Sequence, residues 1–172
     1  MVTIRTERRE DVAAVRAVNE AAFPEAVEAD IVERLRTACS EAVSLVAEDG
    51  NQIIGHICFS PVEIVGRVRS VSGMGLGPMA VVPARQRQGI GSALVETGLQ
   101  LMRERDCPFV VVLGHSDYYP RFGFRRASLR GLSCQWAGVP DDAFMVAILD
   151  ESAMAGVSGT VKYRKEFDSR EE

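Results

Sequence analysis

Residues 2–6 alternate apolar and polar side chains, a period of two that predicts a short strand with one buried face. The segment EDVAAVRAVNEAAF then places Val12, Val15, Val18 and Phe23 near one face of a helix, which Pro24 ends. In EAVEADIVERLRTA, Val27, Ile31, Val32 and Leu35 recur at helical spacing and predict a second helix. Two β-rich runs, AVSLVAED and QIIGHICFSPVEIV, flank Gly50-Asn51 and read as a hairpin, to which GMGLGPMAVV adds a third strand of an antiparallel meander. From Gly89 the period changes, and Ile90, Leu94, Leu99 and Met102 predict a long helix ending near Asp106, with Pro108 beyond it. FVVVLG is a continuous apolar run, as expected of a strand buried on both faces.

Beyond that strand the pattern weakens. HSDYYPRFGF is rich in turn formers, a short strand is expected near 124–129, a loop carries Trp136, and AFMVAIL is the last clear strand. The tail KYRKEFDSREE is charged, and residues 168–172 are expected to fray. The predicted order, β-α-α-β-β-β-α-β-α-β, is a mixed α/β sheet with one strand-helix-strand crossover. No repeat or linker interrupts it, and 172 residues suit one domain spanning 1–167.

Composition narrows the function classes. With 47% hydrophobic and 26% charged residues the chain is an ordinary globular protein, and a formal net charge of -4 argues against a dedicated nucleic-acid or anionic-membrane binder. No segment reaches the roughly 18 uninterrupted apolar residues that span a bilayer, and MVTIRTERREDV has no apolar signal core. Cys39, Cys58, Cys107 and Cys134 form no C-x-x-C pair, and only His56 and His115 could supplement them. The expectation is no metal and four reduced thiols in a cytoplasmic protein.

The crossover begins at VVPARQRQGIGSAL, Val81 to Leu94. A helix N-terminus exposes about four unpaired N–H groups and roughly half a positive charge, so it attracts phosphate where side chains do not block the approach. Gly89 and Gly91 leave the approach open, Arg85 and Arg87 add positive charge, and Ser92 can donate a further hydrogen bond. The same glycines would also serve a plain tight turn with solvated arginines, and the loop alone does not choose. It lacks the third glycine of a dinucleotide fingerprint, where Leu94 stands, and the lysine of a P-loop. Pro78 interrupts the preceding strand where a fully paired strand could not accept it, which implies an edge, a bulge or a gap; if the sheet parts there, Met79 to Val81 could offer backbone groups to a strand-like ligand, whereas a bulge at a sheet edge would serve no ligand.

Taken together, LGPMAVVPARQRQGIGSALV resembles motif A of the GNAT acetyltransferase superfamily, Gln/Arg-x-x-Gly-x-Gly/Ala, through Gln86, Gly89 and Gly91. YYPRFGF resembles the Tyr-x-x-x-Gly-Phe that follows the next strand in that family, with Tyr119 at the tyrosine. VPDDAFMVAIL completes a likeness to a bacterial subgroup of largely uncharacterised N-acetyltransferases that covers most of the chain. The resemblance implies the GNAT fold, a mostly antiparallel mixed sheet with a parallel, splayed β4/β5 pair and flanking helices. It implies acetyl-CoA as co-substrate, with the pyrophosphate on Gln86, Arg87, Gln88, Gly89, Ile90, Gly91 and Ser92, and the pantetheine and thioester along Met79, Ala80 and Val81.

The implied chemistry is direct attack of an amine on acetyl-CoA in a ternary complex, with no acyl-enzyme. N–H groups near Met79 and Ala80 would hold the oxyanion, and Tyr119 would protonate the departing thiolate. Tyr118 is the alternative tyrosine and the one expected nearer the core. The carboxylate that many family members carry on a central strand is missing, so the base is open: Glu28, Asp117, His115 or water. Nothing beside Cys134 would activate its thiolate. Phe23 and Trp136 are candidates for lining the acceptor pocket, and a homodimer is a family-level expectation.

Overall fold

The computed structural model describes residues 1–168, so the expected fraying lies, from residue 169 on, outside the described residues. The strands are β1 (Val2–Thr6), β2 (Val43–Asp49), β3 (Gln52–Val65), β4 (Ser70–Val81), β5 (Phe109–Leu113), β6 (Arg125–Arg126), β7 (Leu132–Cys134), β8 (Phe144–Ile148) and β9 (Gly159–Lys162). The α-helices are α1 (Val12–Ala22), α2 (Val27–Ala38) and α3 (Ile90–Glu104). The chain divides into two compact units: residues 1–60, 77–98 and the stretch from Lys165 form the first, residues 61–76 and 99–164 the second. Strands β3 and β4 and helix α3 contribute residues to both.

In the first unit β1 pairs antiparallel with β2, and β2 with β3, with a register shift between Ala47 and Glu48. Gly50, at φ 63, makes the tight turn between β2 and β3 in the left-handed region that glycine enters freely. Helix α1 stops at Ala22 because the residue before a proline is pushed out of the helical region; Phe23, before Pro24, is extended at φ -118 and ψ 148. One face of the unit is closed by Val15, Val32 and Val46, the next patch by Ile31, Leu35, Cys39 and Cys58. On the other face α3 comes so close to β3 that a Cβ on Gly55 would sit 3.1 Å from Leu94 and 3.2 Å from Ile90.

A polar chain crosses this apolar interior. Asn19 and His56 are both 0% exposed, and the Asn19 amide nitrogen donates to the Val15 carbonyl at 3.0 Å and lies 3.1 Å from His56 Nδ1. With both amide hydrogens used, Nδ1 is the acceptor and Nε2–H donates to Ser44 Oγ at 2.8 Å. Burial pushes the His56 pKa down to about 3, helped by the positive charge of Arg36, so the ring is neutral.

In the second unit β4 runs parallel to β5 over Met74–Leu76 against Val110–Val112, and β5 pairs antiparallel along its whole length with β8. β9 joins β3 antiparallel and β7 parallel. The core of this unit gathers Val62, Ile64, Phe109, Val111, Phe144 and Val146 among others. The helix expected between β5 and the last clear strand is absent. The chain there makes three short 3-10 turns, Tyr119–Phe122, Ala127–Arg130 and Asp141–Ala143, the first two each stopped by a left-handed glycine, Gly123 at φ 95 and Gly131 at φ 71. The strand expected near 124–129 is only Arg125–Arg126, and β7 and β9, too short to carry an alternating pattern, were not foreseen.

Candidate active site

The first unit holds the predicted phosphate loop. After β4 a 3-10 turn over Pro83–Arg85 leads to Gln86, which is extended, and then to Arg87 at φ 63 and Gly89 at φ 82 before α3 begins at Ile90. Left-handed residues in such a turn are the ingredient of backbone concavities whose N–H groups face an anion, and α3 adds its own dipole. Arg87 is a non-glycine residue in this region, a strain that clusters at functional sites. A Cβ at Gly89 would meet nothing within 4 Å, so the space beside it is open. The first intrahelical bond reaches Gly89, from Ala93 N–H at 3.0 Å. Ile90 turns its side chain inward, 5% exposed, so it can serve a ligand only through its backbone.

Two side chains expected to face a ligand instead hold the loop. Gln86 donates from Nε2 to the Val81 carbonyl at 2.9 Å, which engages a backbone group otherwise free for a strand-like ligand. Arg85, expected as mobile charge, is fastened: Nη2 lies 3.0 Å from Asp49 Oδ2 and Nε donates to Gln88 Oε1 at 3.1 Å. Arg87 makes no ion pair among the described residues and is exposed. Asp49 is the residue sequence reasoning missed, since nothing in a hairpin turn signals a partner so far along the chain. The parallel ladder to β5 ends at Leu76, so Gly77 to Val81, with Met79 and Ala80, carry no bonds of that ladder. Of the edge, bulge or gap that Pro78 implies, the structure has a gap in the ladder to β5.

Glu28 sits in the first turn of α2, half-buried, and its Oε2 is shielded from solvent with no hydrogen-bond partner among the described residues. A shielded carboxylate oxygen without a donor is costly to keep. Nearby carboxylates are already satisfied: Arg16 reaches Glu20 at 3.4 Å, Asp30 at 3.1 Å and Glu33 at 2.9 Å. Phe23 is half-buried.

The second unit holds Tyr119, in the first 3-10 turn after β5. It is 7% exposed, with its ring 5.7 Å from Phe124 and edge-on to it, while Tyr118 is only half-buried beneath the Arg121 guanidinium, 4.5 Å from its centroid. The expectation that Tyr118 lies nearer the core is therefore reversed. Burial, with the neighbouring Tyr118, pushes the Tyr119 pKa up to about 12, so the phenol stays protonated at neutral pH. His115 and Asp117 are exposed, and the His115 carbonyl accepts the N–H groups of Tyr118 at 3.2 Å and Tyr119 at 3.3 Å. Trp136 stacks on Tyr163 with centroids 4.8 Å apart. Burial raises the Cys134 thiol, which makes it a weak nucleophile. All four cysteines are free, and no cluster of three or more potential ligands for a metal exists among the described residues. No helix among them is long and apolar enough to cross a membrane.

Comparison with known proteins places these elements in a family. Residues 3–127 match the profile of the acetyltransferase (GNAT) domain. The uncharacterised N-acetyltransferase YhbS of Escherichia coli is 36% identical over 166 residues, 96% of this chain and 98% of the relative. The crystal structure of E. coli YhbS in complex with CoA superposes with a TM-score of 0.91 at 34% identity, covering 99% of this chain and 93% of that one. A GNAT family acetyltransferase from Brucella melitensis, in complex with acetyl-CoA, gives a TM-score of 0.79 at 36% identity over 98% of this chain and 99% of that one. With the family profile matched over well over half of its length, the chain belongs to the GNAT acetyltransferases and is an acyltransferase.

Proposed function

We propose that this chain moves the acetyl group of acetyl-CoA to a primary amine, of a small molecule or of a protein or peptide, by direct attack in a ternary complex. The observation that carries the reading is the open, left-handed turn at Arg87 and Gly89 that leads into α3, in a chain whose relatives are seen with CoA and with acetyl-CoA. The diphosphate would rest on the N–H groups of Arg87 to Ser92, with the exposed Arg87 supplying charge. The pantetheine would lie along Met79 to Val81. Residues 1–167 would act as one catalytic domain, in the cytoplasm and as a homodimer.

In the reaction the amine nitrogen forms a bond to the thioester carbon, and the carbonyl electrons move onto oxygen, held by N–H groups near Met79 and Ala80. Collapse restores the carbonyl and breaks the C–S bond, and the thiolate takes a hydrogen bond and then a proton from Tyr119. The acceptor arrives as an ammonium and must lose a proton before attack. Glu28, whose Oε2 lacks a partner among the described residues, is the base favoured over the solvated Asp117 and His115.

Calorimetric titration of acetyl-CoA into Gly89→Glu tests the reading. A Cβ there meets nothing within 4 Å, although any side chain at φ 82 strains the backbone, and the carboxylate puts bulk and negative charge where the diphosphate would lie, so binding is expected to vanish, with circular dichroism of the variant checking that the fold persists. Retained affinity would refute the assignment. A screen of pooled amines that follows free CoA release identifies the acceptor. Tight acetyl-CoA binding with no CoA release from any amine would instead indicate an acyl-CoA-binding module, a reading kept open by the absence of any carboxylate on β5 or on β4 from Ser70 to Val81.

A further inference from the structure

Asp49 closes β2 at the hairpin turn and pairs with Gln52 across it. Its Oδ2 meets Arg85 Nη2 at 3.0 Å, and its Oδ1 accepts from the Met1 ammonium at 3.2 Å. From the same guanidinium, Nε donates to Gln88 Oε1 at 3.1 Å, and Gln88 in turn donates to the Ala84 carbonyl at 3.5 Å. The segment from Ala84 to Gln88 is thus closed on itself and tied by Arg85 to a rigid hairpin, while Arg87 between them is held left-handed at φ 63.

We infer that Asp49 is a positioning residue for the phosphate loop, acting through Arg85: the ion pair holds the loop in its anion-binding shape rather than lending charge to the ligand. This rests on the reading that the loop receives the CoA diphosphate. The pair is too exposed to matter much for stability, with side chains 30% and 31% accessible, because water and salt screen it. Its value lies in geometry. A loop that must find its shape on binding loses affinity to ordering, whereas a braced loop does not. The arrangement also divides labour between two arginines: Arg85 is spent on the protein, and Arg87 is left for the ligand.

Charge and geometry predict opposite signs for one substitution. By charge alone, Asp49→Ala removes a carboxylate near an anion site and frees Arg85 for phosphate, so CoA would bind more tightly. By positioning, it releases the loop, and CoA binds more weakly. Titration of CoA into Asp49→Ala, Arg85→Ala and the double variant is expected to show roughly three- to tenfold weaker binding in each, with the double variant no worse than the weaker single one. S-acetyl-pantetheine, which has no diphosphate, should bind all four proteins equally. Tighter or unchanged CoA binding in Asp49→Ala, additive losses in the double variant, or equal loss for both ligands would overturn the inference. Failure of the loop assignment itself is read separately, from wild-type protein that binds no CoA or from Gly89→Glu that still does.

Discussion

The Tyr119 ring lies against the backbone of Gly114 so closely that a Cβ at position 114 would collide with it. The glycine that ends the β5 segment thus decides where the proposed acid sits. Gly114→Ala must displace the ring or the backbone, an overpacking that costs roughly 1–3 kcal/mol. Denaturant unfolding and turnover measured together should both fall, and unchanged turnover would mean that the position of Tyr119 does not matter to the reaction.

Tyr119→Phe removes the hydroxyl but keeps the ring that packs on Phe124. If the phenol assists the departing thiolate, kcat should fall by roughly 10²- to 10⁴-fold with acetyl-CoA affinity unchanged. With a pKa near 12, the phenol should produce no falling limb in the rate profile between pH 7 and pH 10. A pH–rate series on both proteins checks both points.

Helix α3 crosses β3 at Gly98, where a Cβ would run into the ring of Phe59, itself 0% exposed. Helix propensity alone favours Gly98→Ala by about 1 kcal/mol. The collision should win, giving net destabilisation of roughly 1–3 kcal/mol in urea unfolding. A stabilised variant would show that α3 can slide off β3 without cost.

His56 makes stability depend on pH with a definite sign. Its folded pKa is about 3, below the usual value of 6.5, so between these values the unfolded chain binds the proton and the folded one does not. The His56 contribution is complete above about pH 6.5 and is lost as pH falls toward 3, by at most about 1.4 kcal/mol per pH unit. Asp11 adds to the fall at lower pH: its bonds to Arg5, and then to the Arg8 N–H, hold its pKa at about 2, so its contribution goes as pH drops from about 4 to 2. Unfolding of His56→Gln from pH 7 to 4 should show a slope shallower by up to one proton than the wild type.

Much of this could be read along the chain. The hairpin around Gly50, the three helices and the buried strand β5 follow from local periodicity and turn residues, because each element satisfies its backbone from near neighbours. The gap at Pro78 and the open turn at Gly89 were legible for the same reason, since proline and glycine act on their own backbone. The helix expected after β5 does not form because Gly123 and Gly131, both left-handed, stop each 3-10 turn before it can grow. Strands β7 and β9 exist because β9 pairs with both β3 and β7, and no local signal announces that.

From sequence alone came the glycine-containing turn before α3 proposed to receive the diphosphate, the tyrosine of the Tyr-x-x-x-Gly-Phe stretch and the lack of a carboxylate in GLGPMAVV and FVVVLG, all properties of adjacent residues. Only the tertiary structure decided that Tyr119 rather than Tyr118 is buried, that Glu28 holds an oxygen with no hydrogen-bond partner among the described residues, and that Arg85 belongs to Asp49. Each depends on which distant segment packs alongside, and burial and ion pairing are set by that neighbour rather than by the residue's own place in the chain.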